Sequence, residues 1–179
     1  MKKVALIYGG IAGLITGGMF FIMHPSDGQI DFKGSEVGGY VTMIVALTAI
    51  FFAVKHHRDK NLNGKISFGK AFGVGLLVTL VASVIYVASW ETYSATIGGD
   101  FADQYMAFIQ QELGEQAKSD EKIQEEIEAT AEMMEMYKNN AAYRIGLTFI
   151  EIFPIGFIIS LFTAIAFAFL LKKKTPQPQ

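Results

Sequence analysis

The chain has 179 residues, 51% of them hydrophobic, and a formal net charge of −2. It contains no cysteine, which excludes disulfides, thiolate metal sites, iron–sulfur clusters, a cysteine nucleophile and a lipoprotein anchor. The small net charge conceals two opposed blocks: residues 1–3, 55–70 and 172–179 hold ten Lys/Arg and one acid, a net of +9, whereas residues 91–143 hold twelve acids and three Lys, a net of −9.

Four apolar stretches separate these blocks: Val4–Met23, Val37–Val54, Ala71–Trp90 and Ile145–Leu171. A hydrocarbon core of roughly 30 Å is crossed by about 20 apolar helical residues. The second stretch, at 18 residues, is at the short end. Lys/Arg excess marks the cytoplasmic side. Both termini are therefore expected on the cytoplasmic side of the membrane, and the acidic segment outside.

In chain order, Met1-Lys2-Lys3 and the first run resemble a signal peptide. The run is long for one, and no convincing small-x-small cleavage site follows, so it reads as an uncleaved membrane helix. Gly9, Gly13 and Gly17 are four apart and line one face. Such faces let helix backbones approach, either within one bundle or between copies of the chain. His24-Pro25-Ser26-Asp27-Gly28 supplies turn chemistry and ends the helix.

The second helix is expected to open at Gly38-Gly39-Tyr40, after a short loop reaching Glu36. It ends at Lys55-His56-His57-Arg58-Asp59-Lys60, which reads as a basic anchor at the membrane surface. Adjacent histidines diverge on a helix, so a metal site has little support there. Asn61 to Lys65 form a turn, and Ser67 is placed to cap the third helix. Gly69 and Gly73 give another four-residue glycine pair, and Trp90 and Tyr93 suit a membrane interface.

The acidic segment reads as two amphipathic helices. Phe101, Tyr105, Phe108, Ile109 and Leu113 share one helical face, as do Ile123, Ile127 and Met134 after Ser119-Asp120. These apolar stripes need a cover: each other, the rim of the bundle, or a partner. Asn139-Asn140 closes the segment. The fourth membrane helix carries Glu151 and Pro154 and stops at Lys172-Lys173-Lys174, ahead of a disordered tail over 175–179.

The expected fold is an all-α membrane protein with four transmembrane helices. An extracytoplasmic amphipathic helical insert separates the third and fourth. Residues 1–90 form the first three spans, 91–143 the insert, and 144–174 the last span with its basic anchor.

One hairpin carries a resemblance. Gly38-Gly39-Tyr40 leads to Phe51-Phe52-Ala53-Val54-Lys55-His56-His57-Arg58-Asp59-Lys60, then Gly64-Lys65-Ile66-Ser67-Phe68-Gly69-Lys70-Ala71-Phe72. This pattern resembles the domain-of-unknown-function 4199 family (DUF4199) of small bacterial membrane proteins, common in Bacteroidota. The resemblance covers essentially the whole chain. It implies four membrane segments, a long polar insert before the last, and an inner-membrane home. It implies no activity.

Glu151 is the ionisable residue well inside an apolar run, about six residues or roughly 9 Å below the boundary. A carboxylate there is costly unless paired, hydrated or protonated. It reads as an ion, proton or substrate contact, or as a bundle-facing group bonded to neighbours. Arg144, Tyr86 and Glu91 are possible neighbours, and Glu91 and Glu151 together form a possible ion or proton site. No phosphate-binding glycine loop, nucleophile elbow or paired-histidine zinc helix occurs, so no enzyme activity and no cofactor is expected. The basic residues are scattered beside apolar runs, which gives nucleic-acid binding no support.

The leading expectation is a non-enzymatic interaction or accessory protein of the envelope, with the lipid bilayer and another envelope protein or a second copy as partners. The alternative is an oligomeric small transporter or channel using Glu151.

Overall fold

A computed structural model describes residues 1–25, 28–115 and 119–171. The turn residues Ser26 and Asp27, the Lys172–Lys174 anchor and the tail lie outside the described residues. The fold is all-α. Its elements are α1 (Lys2–Ile22), α2 (Phe32–Leu47), α3 (Ala49–Asn61), α4 (Phe68–Thr96), α5 (Phe101–Gly114), α6 (Asp120–Asn139) and α7 (Ala141–Ile165), which continues as a π-helical turn over Ala166–Leu170. Four helical stretches are long and apolar enough to cross a membrane: Lys2–Ile22, Phe32–Asn61, Phe68–Thr96 and Ala141–Leu170. The acidic helices α5 and α6 lie between the third and fourth.

Helix α4 is the centre of the bundle. It is apolar around its circumference, as a helix enclosed by others must be, and it packs most extensively on α1 and α7. Against α1, a Cβ at Gly9 would stand 2.7 Å from Val81 Cβ, and one at Gly13 equally close to Ile85 Cβ. Gly17 abuts Ser89 in the same way. The seam is thus a backbone-to-backbone approach that only glycine permits.

A second seam joins α4 to α7. Gly75 lies under Ser160 and Gly156 under Thr79, while the Thr79 and Ser160 hydroxyls meet at 3.2 Å. Each hydroxyl also turns back on its own helix, Thr79 to the Gly75 carbonyl and Ser160 to the Gly156 carbonyl. By contrast, a Cβ at Gly69 would meet nothing within 4 Å, and at Gly73 only the Met1 methyl at 3.5 Å. The glycine pair expected to pack at the start of α4 has no helix against it.

Leu47, Ile50, Val54, Val78, Ile152 and Phe167 fill the core between the spans. Large apolar side chains such as Leu14, Val41, Val84 and Phe162 point outward. That is the surface lipid demands, since hydrocarbon offers no partner to polar groups.

The second span departs from expectation at both ends and in the middle. It starts at Phe32, six residues before the glycine pair, because the Asp31 carboxylate accepts from the Gly34 N–H at 3.0 Å and caps the helix. At Thr48 the regular ladder breaks. The Thr48 hydroxyl donates to the Val45 carbonyl at 2.6 Å, and the backbone tightens into i→i+3 bonds. On the far side, α3 turns His57 and Arg58 inward. Arg58 is buried, donates to the Leu171 carbonyl at 2.9 Å and lies 4.7 Å from the Phe167 ring. The stretch read as a solvated anchor therefore also clamps the end of α7. The α3–α4 turn reverses through Asn63 and Gly64, both with positive φ.

Candidate functional site

No residue of α2 before Met43 is buried, whereas Met43, Ala46 and Leu47 are. The half of α2 nearer the insert thus stands away from α1, α4 and α7. The gap it leaves is a cavity of about 600 Å³, within the usual range for small-molecule sites.

Its walls come from every neighbouring element. α1 supplies Thr16 and Phe20, α2 supplies Glu36, Gly39 and Thr42, α4 supplies Tyr86 and Trp90, and α7 supplies Thr148 and Glu151. The insert roofs it with Phe101, Tyr105, Phe108 and Ile109. Phe32 of α2 meets three of these rings, at 5.7 Å for Phe101, 5.5 Å for Tyr105 and 5.2 Å for Phe108.

Polar bonds fix the roof. The Gln104 side chain accepts from the Ile30 N–H at 2.9 Å and donates to the Gly28 carbonyl at 2.8 Å. It thereby ties α5 to the loop before α2. Lys33 pairs with Glu112 at 3.0 Å, an exposed rim contact that solvent screens. His24 and the Tyr93 hydroxyl meet at 2.9 Å. In the roof, burial first, then the Glu36 and Glu112 carboxylates, push the Tyr105 hydroxyl above its ordinary value. It stays neutral and able to donate.

Beside the cavity, an aromatic cluster locks the insert to the bundle. Trp90, Tyr93, Ala102, Met134 and Tyr137 are buried together, with Phe101 edge-on to Trp90 at 5.0 Å. The Trp90 indole N–H donates to the Tyr137 hydroxyl. Burial pushes that hydroxyl up to about 12, partly offset by the Trp90 bond and Arg144.

Arg144 holds Glu91 through two bonds, Nε to Oε1 at 2.7 Å and a terminal nitrogen to Oε2 at 2.6 Å. Its other terminal nitrogen donates to the Tyr137 carbonyl at 3.1 Å. The arginine considered as a partner for Glu151 is thus committed elsewhere, and Glu91 is not among the cavity-lining residues. The sequence reading paired Glu151 with the wrong acid. Glu151 lines the cavity from α7, Tyr86 from α4 and Glu36 from α2. Glu151 is not covered by protein; it is exposed along the cavity wall. Glu36 and Glu151 have no ion-pair partner among the described residues.

The apolar stripes of the insert divide. Phe101, Tyr105, Phe108, Ile109 and Met134 face the chain's own spans, whereas Ile123 and Ile127, on the first half of α6, are only half-buried. Sequence reasoning missed Gln104, because a roof clamp has no local pattern. It missed Glu36 because the Asp31 cap went unread. The Gly75/Thr79 and Gly156/Ser160 pairs, each four apart, did carry a small-residue signal.

The chain matches no curated protein. It matches no solved structure. Residues 5–168 match the family described as "Protein of unknown function (DUF4199)". With the four spans and the insert falling within or across that match, the chain belongs to the DUF4199 family.

Proposed function

We propose that this chain is a non-enzymatic membrane protein that receives a small amphipathic molecule in the cavity beneath its insert. It sits in the bacterial inner membrane with both termini in the cytoplasm and the insert outside. The charge asymmetry supports this orientation: residues 1–3 and 55–70, rich in Lys/Arg, flank one end of the bundle and the acidic insert the other. The observation that carries the binding role is the cavity itself, apolar and aromatic on its walls with a few polar groups converging, as small-molecule sites are. A protein partner on the insert has less support, because Phe101, Tyr105 and Phe108 face α2.

Trp90 lines the cavity and is the single tryptophan. A small nitroxide amphiphile seated there quenches its fluorescence. In lipid nanodiscs the expected quenching is saturable, and Gly39→Phe with Thr42→Phe abolishes the saturable part. A Cβ at Gly39 meets nothing within 4 Å, so the new side chain starts from open space. Linear quenching, identical in the wild type and the filled variant, reports partition into lipid alone and refutes the proposal.

A further inference from the structure

We infer that the molecule this cavity takes is an organic cation, an ammonium on an apolar body, held between Glu36 and Glu151 against aromatic walls. The inference rests on the binding role proposed above and adds the ligand's chemical class.

Three observations converge. First, two carboxylates line the cavity without an ion-pair partner among the described residues, one on α2 and one on α7. Like charges facing across a space of low polarity repel, and a cation between them turns that repulsion into two attractions. Second, the nearby cations are already committed: Arg144 to Glu91 and Lys33 to Glu112. Among the described residues no positive charge pairs with Glu151, although a charge at that depth is costly unpaired. Third, the rim displays the same chemistry with an occupant. The Lys33 ammonium lies 5.9 Å from the Phe108 ring centre while it pairs with Glu112. Deeper in, the Phe20 ring lies 4.9 Å from Tyr86 and 4.8 Å from Trp90, and all three line the same cavity as Glu151. Aromatic faces joined to carboxylates are the surroundings that select alkylated ammonium groups. An anion would meet Lys33, which already pairs with Glu112, and a neutral ligand leaves both carboxylates unpaired.

The ammonium could belong to a free amine or to a lipid headgroup, and the experiment distinguishes them. Three nitroxides of one ring differ in a single substituent: trimethylammonium, hydroxyl and carboxylate. Each is titrated against Trp90 fluorescence of the full chain in nanodiscs of phosphatidylglycerol. The expected result is saturable quenching by all, with the cation preferred over the hydroxyl form by about tenfold or more after correction for its concentration at the anionic surface, measured on empty nanodiscs. Glu151→Gln and Glu36→Gln each cut that preference several-fold, and the double variant removes it. A cooperative unfolding transition in sodium dodecyl sulfate, read on Trp90, shows that the variants are folded.

Equal saturable binding of all three probes overturns the cation inference but leaves the cavity reading standing. Absence of saturable binding by any probe overturns both. A cation preference in phosphatidylglycerol that is competed away when phosphatidylethanolamine is added supports the inference and assigns the ammonium to the headgroup. A preference unchanged by that lipid supports a free amine.

Discussion

Gly13→Ala tests the α1–α4 seam against a control on the same helix. The new Cβ would stand 2.7 Å from Ile85 Cβ and 3.0 Å from the Ala82 carbonyl oxygen. Carbon atoms rest about 3.5 Å apart or more, so the two helices must part locally by about 0.8 Å. A gap of that size forfeits roughly a quarter to a half of each attractive contact it opens, and overpacking of this kind costs about 1–3 kcal/mol. Alanine returns up to about 1 kcal/mol through helix propensity. The expected net is a loss of about 0–2 kcal/mol. Gly10→Ala keeps the propensity gain without the clash, because its Cβ would meet nothing within 4 Å. The propensity contribution is common to both, so their difference isolates the seam at about 1–3 kcal/mol. Unfolding by sodium dodecyl sulfate in mixed micelles measures it, with Trp90 as reporter. That ring lies 4.8 Å from Phe20 of α1 and therefore senses separation of the two helices. Equal shifts for the two variants, or a more stable Gly13→Ala, would refute the seam.

The Arg144–Glu91 pair should show coupling of about 1–3 kcal/mol in a double-mutant cycle of Arg144→Met and Glu91→Gln, between the values for exposed and buried pairs. Coupling under about 0.5 kcal/mol would mean solvent screens the pair and it does not lock the insert. Tyr137 gives a pH dependence. Its hydroxyl loses a proton near 12 when folded, against an ordinary 10.0. Above pH 10 the unfolded chain releases that proton first, so stability is complete below pH 10 and declines as pH rises toward 12. Tyr137→Phe should flatten that decline in unfolding midpoints measured against pH; an unchanged slope would assign the decline to other groups.

The spans and the helical insert were legible because their signals are local. Hydropathy reports a residue's preference for lipid, and the spacing of Phe101, Tyr105 and Phe108 reports a helix face, whatever lies opposite. What lies opposite was not legible. Four-residue glycine spacing marks Gly9, Gly13 and Gly69, Gly73 alike, yet only the first set meets another helix's backbone. Smoothness of a face is written in the chain; the presence of another backbone across from it is not. Glu151 was singled out by depth alone. The cavity it lines also takes Glu36 from α2, 115 positions earlier in the chain, a neighbour that depends on how α2 leaves the bundle. Arg58 looked like a surface charge because its partners, Leu171 and Phe167, lie far away in sequence.

Asn140 ends α6 and begins α7 at once. Its N–H closes the last turn of one helix on the Met136 carbonyl, and its side chain accepts from the Tyr143 N–H of the next. A joint one residue long has no slack. Any tilt or roll of α6 must be taken up at that single pair of dihedrals or delivered along α7 as torque. Eleven residues further on stands Glu151. The acidic helix and the span that carries Glu151 are thus joined through Asn140 with no residue to spare between them.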